Sequence, residues 1–330
     1  MKESKSFRSF AGAAVAMALL GIGLAGCGGS SSGDGGPSQE MQMVTVNWIE
    51  GMAMTYMQEA ILEDSLGMEV EVNEVQGGGI AFSSVAQGDA DVFNEAWLPT
   101  THQEQWESNR DNLQKLGYTY RGTTVGLAVP KYAEIDTIPD LPNYRDELDG
   151  TINGIEAGSA INEQTKQTLE TYGLEGDFRV QAASGPANWQ ALESAIENKR
   201  PIVVTAWYPH WIWNQYDLKY VGGAKTDHNV DIWGGPEAIF TVVENGFLEQ
   251  FPREAVCFLK EFEAKDEQVF SLMTAFNERG SASKSETARQ WIDNNPEPVA
   301  RWMEDTEACA AAEGPEPLPD DATFSASRGD

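Results

Sequence analysis

The sequence predicts an α/β chain of two similar lobes with a ligand cleft between them. Strand and helix patterns alternate from Val44 and again from Thr151, which implies α/β units with largely parallel sheets. The two halves also align without a gap over fourteen residues, Ser84–Trp97 against Ser194–Trp207, each ending in Ala-Trp-x-Pro. Once an N-terminal leader is set aside, about 290 residues remain, more than a single core usually organises. Ligands of such sheets bind at the carboxyl ends of strands, so two equivalent Ala-Trp-x-Pro strand ends imply one shared crevice closed by a hinge.

Taken in order, Met1 to Arg8 carries Lys2, Lys5 and Arg8, followed by an Ala/Gly-rich apolar run from Phe10 to Ala25 and by Leu24-Ala25-Gly26-Cys27. A basic start, a short apolar run and small residues at a cleavage point read as an export signal over residues 1–26. The residues before Cys27 resemble a bacterial lipobox, which makes Cys27 a lipidation site and attaches the chain to a membrane. Residues 27–42, rich in Gly and Ser, read as a flexible tether. No later segment is apolar enough to span a bilayer.

The first lobe is expected over 43–125. Val44 to Trp48 reads as a strand, Met52 to Ser65 as a helix closed by Gly67, and Met68 to Val75 as a second strand. Gly77-Gly78-Gly79 then leads into a helical stretch to Gln87 and a strand at Asp91 to Phe93. The second lobe, 126–240, repeats the plan with strands at Thr151–Ile155, Phe178–Ala182 and Pro201–Thr205 and helices from Asn162 and Ala187. Thr124–Val129 and Phe240–Val243 are the expected crossing strands. Residues 241–312 read as helical and return to the first lobe, and 313–330 form a Pro/acidic tail expected to be disordered.

The net charge is −30, from 52 acidic and 22 basic residues, so nothing here neutralises phosphates and nucleic acid is excluded as a partner. The acids are dispersed, as on a solvated surface; adaptation to high salt is the sharper reading. After Cys27 only Cys257 and Cys309 remain. In an oxidising compartment the two could form a disulfide, and with no neighbouring His they make a poor zinc site. No metal ligand set and no cofactor motif occurs.

Among ten tryptophans, Trp48, Trp97 and Trp207 stand at the ends of expected strands in both lobes. Three indoles around one space suit a cation that cannot donate hydrogen bonds, such as trimethylammonium, at about 2 kcal/mol for each desolvated contact. Three contacts approach the roughly 8 kcal/mol of micromolar binding.

The segments Asn47–Thr55, Glu95–His102 and Val203–Trp211 look like the glycine betaine-binding proteins of ABC importers, and Gly154–Ile161 resembles the carboxylate loop of that family. The likeness runs from Val44 to about Trp302. It implies a two-lobe, type II periplasmic-binding-protein-like fold, a quaternary-ammonium cage of Trp48, Trp97 and Trp207, and a carboxylate held by His102 and the amides of Ala160 and Ile161. Residues at a helix start favour an anion in any case. Ala160 departs from the glycine frequent there, which adds a methyl but keeps the amide. The resemblance further implies delivery of a betaine to a membrane permease for osmoprotection. Choline, proline betaine and dimethylsulfoniopropionate are the alternative ligands.

Tyr208, His210 and Trp211 are read as rim or loop-supporting residues and His228 as an exposed loop residue. Glu50 and Glu95 are expected as charges at the cleft edge. A secreted hydrolase using these two acids is the rival of another class, without a Gly-x-Ser-x-Gly or His-Glu-x-x-His motif to support it. A purely structural surface lipoprotein is the third reading.

Overall fold

In the computed structural model, the long strand Leu113–Pro130 (β4) runs through both halves of the molecule and belongs to two sheets at once. The structure describes residues 36–222, 233, 237–312, 315–319 and 322. Residues 37–330 form one unit; of the separate unit 1–36 only Gly36 is described. The expected signal segment and Cys27 therefore lie outside the described residues, as does His228.

On the first lobe, β1 (Glu40–Val46), α1 (Ile49–Leu66), β2 (Glu69–Val75), α2 (Gly78–Ala86) and β3 (Val92–Leu98) follow in that order. β1 lies between β2 and β3, parallel to both. The second lobe repeats the winding with β5 (Thr151–Asn153), α4 (Ala160–Thr171), β6 (Arg179–Gln181), α5 (Gly185–Glu197) and β7 (Val204–Tyr208). β5 lies between β6 and β7, again parallel. The internal repeat read from the Ala-Trp-x-Pro segments is thus a repeat of topology. In both segments the Pro follows a cis peptide, Leu98-Pro99 and Tyr208-Pro209.

β4 joins the halves. Its first part pairs with β9 (Glu237–Glu244) from Leu113↔Glu244 to Thr123↔Glu237, and its last part with β7 from Thr124↔Tyr208 to Ala128↔Val204. β9 also pairs antiparallel with β3, so it belongs to the first sheet. The short strand β8 (Leu218–Tyr220) adds to the end of β4. A run of 18 residues can serve two sheets because its apolar pattern is not a simple alternation: Val125, Leu127, Ala128 and Val129 are all buried, as expected for a strand covered on both faces.

α1 is buried nearly all round: Met52, Ala53, Met54, Met57, Ala60, Ile61 and Leu62 meet the sheet on one side and the C-terminal helices Asp266–Glu278 and Lys284–Asn294 on the other. Gly67 ends it at φ 68°, the left-handed conformation that glycine adopts without strain. Helices Arg253–Glu261 and Pro296–Ala311 pack together and are joined by the bond between Cys257 and Cys309. Within the expected tail, the Leu318 amide bonds to the Lys115 carbonyl and its side chain packs on the core around Phe82 and Phe93.

Candidate functional site

The Ala-Trp-x-Pro segments place their tryptophans at the carboxyl ends of strands, Trp97 as the next-to-last residue of β3 and Trp207 as that of β7. Both are buried, whereas Trp48, which precedes α1, is half-buried. The three indoles line one cavity together with Glu50, Thr101, His102, Val125, Ile155, Ser159, Ala160 and Ile161. All six residues read from the sequence as cage or carboxylate seat therefore meet in one place.

Each indole N–H is engaged by a carboxylate. Trp48 Nε1 donates to Glu156 Oε1 at 2.6 Å, Trp97 Nε1 to Glu95 Oε1 at 2.7 Å and Trp207 Nε1 to Glu50 Oε1 at 2.7 Å. Two of these bonds cross the cleft in opposite directions, because Trp48 and Glu50 belong to the first lobe and Glu156 and Trp207 to the second. With their donors occupied, the rings offer the cavity only π surface and carbon edges. An anionic acceptor on the N–H also polarises the ring and strengthens its attraction for a cation.

Glu50 and Glu95 are not charges at the cleft edge. They are 1% and 0% exposed. The Glu95 carboxyl packs against the backbone of Gly51, next to Glu50, and each acid keeps one oxygen, Oε2, buried without a partner. Desolvation and the neighbouring Glu95 push the Glu50 carboxyl well above the usual carboxylate range. Desolvation likewise pushes Glu95 up to about 8. The pair fits only because residue 51 is glycine: a Cβ there would stand 2.4 Å from the Glu95 carboxyl carbon. The reading as edge charges rested on local sequence, which cannot show that the opposing lobe covers them.

The carboxylate end is built from two loops. Glu237, from β9, accepts the Thr100 and Thr101 amides and the Thr101 hydroxyl, and so pins the turn after β3. That turn folds His102 back on Trp97: the Trp97 amide donates to His102 Nδ1 at 3.1 Å, and the His102 amide to the Trp97 carbonyl at 2.8 Å. An accepting Nδ1 leaves the proton of the neutral ring on Nε2, as a donor. Burial lowers the His102 pKa to about 3, so the ring is neutral. It stacks on Trp48 with centroids 5.7 Å apart and meets the edge of Phe82. Gly78 at the start of α2 makes room for it, since a Cβ there would lie 2.8 Å from Nε2.

Opposite, α4 starts at Ala160 with Ser159 as N-cap. Among the described residues neither the Ala160 nor the Ile161 amide has a hydrogen-bond partner. These are the orphan donors of a helix start. The Ser159 hydroxyl does not cap the helix and is buried without a partner on the same cavity wall. It is a third donor that the sequence does not single out, since the helix pattern is read only from Asn162 and the helix starts at Ala160. Asn162 holds the loop: it accepts from the Ile155 amide and donates to the Ile155 and Glu156 carbonyls. Gly154 allows that approach, since a Cβ would come within 2.4 Å of Asn162 Oδ1.

The secondary candidates lie outside the cage. His210 is buried against Trp189 and Trp207, at 4.5 and 4.8 Å, and with Trp211 lines an outer space that also borders Trp48 and Trp207. The Tyr208 hydroxyl donates to Asp266, at the start of a first-lobe helix. Among the described residues no His/Cys/Asp/Glu group has metal-holding geometry, and no helix is long and apolar enough to cross a membrane.

A family model described as the substrate-binding domain of ABC-type glycine betaine transport systems matches residues 39–294. The chain belongs to this family. The glycine betaine/carnitine transport binding protein GbuC of Listeria monocytogenes serotype 1/2a (strain 10403S) is 34% identical over 163 residues, 49% of this chain and 52% of that protein. The chain thus spans about half the length of that curated relative. Among solved structures, lactococcal OpuAC in its closed-liganded conformation with glycine betaine is 30% identical, with a TM-score of 0.71 over 80% of this chain and 99% of that one. The glycine betaine, L-proline-binding protein ProX of Borrelia burgdorferi is 27% identical, with a TM-score of 0.73 over 81% of this chain and 99% of that one. The α/β, two-lobe fold expected of this substrate-binding family member is therefore shown.

Proposed function

We propose that this chain captures glycine betaine between its lobes, with the trimethylammonium group among Trp48, Trp97 and Trp207 and the carboxylate on His102, Ala160 and Ile161, and hands it to the membrane permease of an ABC importer. The observation that carries the reading is the occupation of all three indole N–H groups by carboxylates. What remains for a ligand is an aromatic wall without donors at one end and a set of unpaired donors at the other. That polarity matches a zwitterion whose cation cannot donate hydrogen bonds. Three desolvated cation–π contacts supply on the order of 6 kcal/mol. Family membership and the likeness to the betaine-binding structures support the same ligand class.

No covalent step is part of this reading: the buried carboxyls support indoles, and binding returns the ligand unchanged. We further propose that the chain works outside the cytoplasm, held to a membrane by acyl chains on Cys27. Replacing Cys27 by Ser should then release the protein from the membrane fraction.

Isothermal titration calorimetry against glycine betaine, carnitine, proline betaine, dimethylsulfoniopropionate, choline and proline tests the assignment. Glycine betaine should bind with micromolar or better affinity, and choline, lacking a carboxylate, more weakly. Equal or tighter choline binding would remove His102 and the α4 amides from the ligand site.

A further inference from the structure

We propose that Glu50 and Glu95 form a proton-loaded counter-charge for the quaternary ammonium: the two carboxyls share one proton between their Oε2 atoms, and a cation entering the cage expels that proton to solvent. The proposal rests on the reading of the tryptophan cage as a quaternary-ammonium site and adds to it a chemical coupling.

The geometry supplies the argument. One oxygen of each acid is committed to an indole, Glu50 Oε1 to Trp207 and Glu95 Oε1 to Trp97. The other oxygen of each is buried and without a partner. Two adjacent carboxylates cannot both stay ionised away from water, and a single proton between the free oxygens satisfies both at once. Glu50 itself lines the ligand cavity. A positive charge brought against that wall stabilises the doubly ionised pair and lowers its proton affinity. The proton leaves to water and no other bond changes. The pair goes from one negative charge to two as one positive charge enters, so the buried site keeps its net charge.

The surrounding groups leave the pair without another counter-charge. From α1 comes Glu50 and from β3 Glu95. The loop after β5 brings the Glu156 carboxylate, which disfavours ionisation of Glu50. The turn after β3 brings His102, neutral through burial, and β9 brings Glu237, which is saturated by Thr100 and Thr101. β7 contributes only the Trp207 indole dipole. Among the described residues, no Lys or Arg lines the cavity.

Calorimetry in buffers of differing ionisation enthalpy measures the protons exchanged per ligand bound. Two probes separate the ends of the site: tetramethylammonium carries only the cage group, whereas glycine betaine also carries the carboxylate that favours proton uptake by His102. With tetramethylammonium near pH 7, release should approach about one proton per ligand, and affinity should rise by up to about tenfold per pH unit as the pair titrates. Glu50→Gln together with Glu95→Gln keeps an acceptor for each indole but leaves no carboxyl to release a proton, so the buffer and pH dependence of tetramethylammonium binding should both vanish. Binding of tetramethylammonium by the wild-type chain with no proton released and no pH dependence overturns the coupling and leaves the cage reading standing. No binding of any quaternary ammonium overturns the cage reading and the coupling with it.

Discussion

The Trp207 indole, on the second lobe, donates to Glu50, on the first, at 2.7 Å, while Trp48 on the first lobe donates to Glu156 on the second at 2.6 Å. The same rings that line the cavity therefore tie the lobes together. Capturing the ligand and closing the cleft share their side chains, so a loss at one of these rings appears in both.

Trp207→Phe separates the two roles. Phenylalanine keeps an aromatic face but leaves Glu50 Oε1 buried without its donor, which costs about 1–3 kcal/mol. Glycine betaine should bind roughly ten- to a hundredfold more weakly, with most of the change in the dissociation rate. Stopped-flow tryptophan fluorescence measures both rates. A variant with wild-type dissociation would show that the cross-lobe bond contributes nothing to holding the closed form.

Trp97→Ala tests the cage without breaking a bond between lobes, since its indole is bonded within its own strand to Glu95. Truncation removes one cation–π wall and opens the cavity, so affinity should fall by about 2 kcal/mol or more. Unchanged affinity in a betaine titration would take Trp97 out of the site.

What the sequence made legible follows from how local each signal is. The repeat of strand and helix is periodic, so the parallel β1–β3 and β5–β7 units were readable. The tryptophans announce themselves by motif. Their partners do not: Glu50, Glu95 and Glu156 are acids in an acidic chain, and only the folded chain sets each against an indole N–H, Glu50 and Glu156 from across the lobes. β4 was expected only over Thr124–Val129, because its first half, with Gly117, Gly122 and Arg121, lacks a clean alternation; pairing with β9 there passes through irregularities at Lys115/Gly117, Tyr118/Tyr120 and Arg121/Thr123. Ser159 is not legible because the helix pattern begins at Asn162, two residues after the helix itself, so nothing in the sequence puts Ser159 at a helix start.

Gly78→Ala addresses the carboxylate end. The new Cβ would stand 2.8 Å from His102 Nε2, so the imidazole must move. Glycine betaine affinity should drop about tenfold or more, by loss of a hydrogen bond to a charged group, whereas tetramethylammonium affinity should stay close to that of the wild type. Equal losses for both ligands would mean that His102 supports the cage rather than the carboxylate.

The Cys257–Cys309 bond closes a loop of 52 residues between two packed helices away from the cavity lining. By loop-closure entropy, its removal costs about 4 kcal/mol at most. Cys257→Ala with Cys309→Ala should lower the urea midpoint by an amount corresponding to about 2–4 kcal/mol while leaving betaine affinity near wild type. A midpoint unchanged by the double substitution or by reductant would show that the bond carries no stability.

Stability against pH isolates the buried acids without any ligand. For Glu50 and Glu95 burial raises the folded pKa, for Glu95 to about 8, so their favourable contribution is complete below the unfolded carboxyl value and is lost as pH rises through the folded one. His102 and His210 act the other way: burial lowers both to about 3, so the stability they contribute above the ordinary imidazole value falls away as pH drops from about 6.5 toward 3. The two effects oppose each other between about pH 4.5 and 6.5 and part above it, where the imidazoles are neutral in both states. Thermal unfolding should therefore show a melting temperature that declines from pH 6.5 to 8.5. The Glu95→Gln variant, with one ionisable carboxyl left, should flatten that decline. A wild-type melting temperature constant over this window would mean that the pair is already ionised at neutral pH, and that the free oxygens beneath the cage hold no proton.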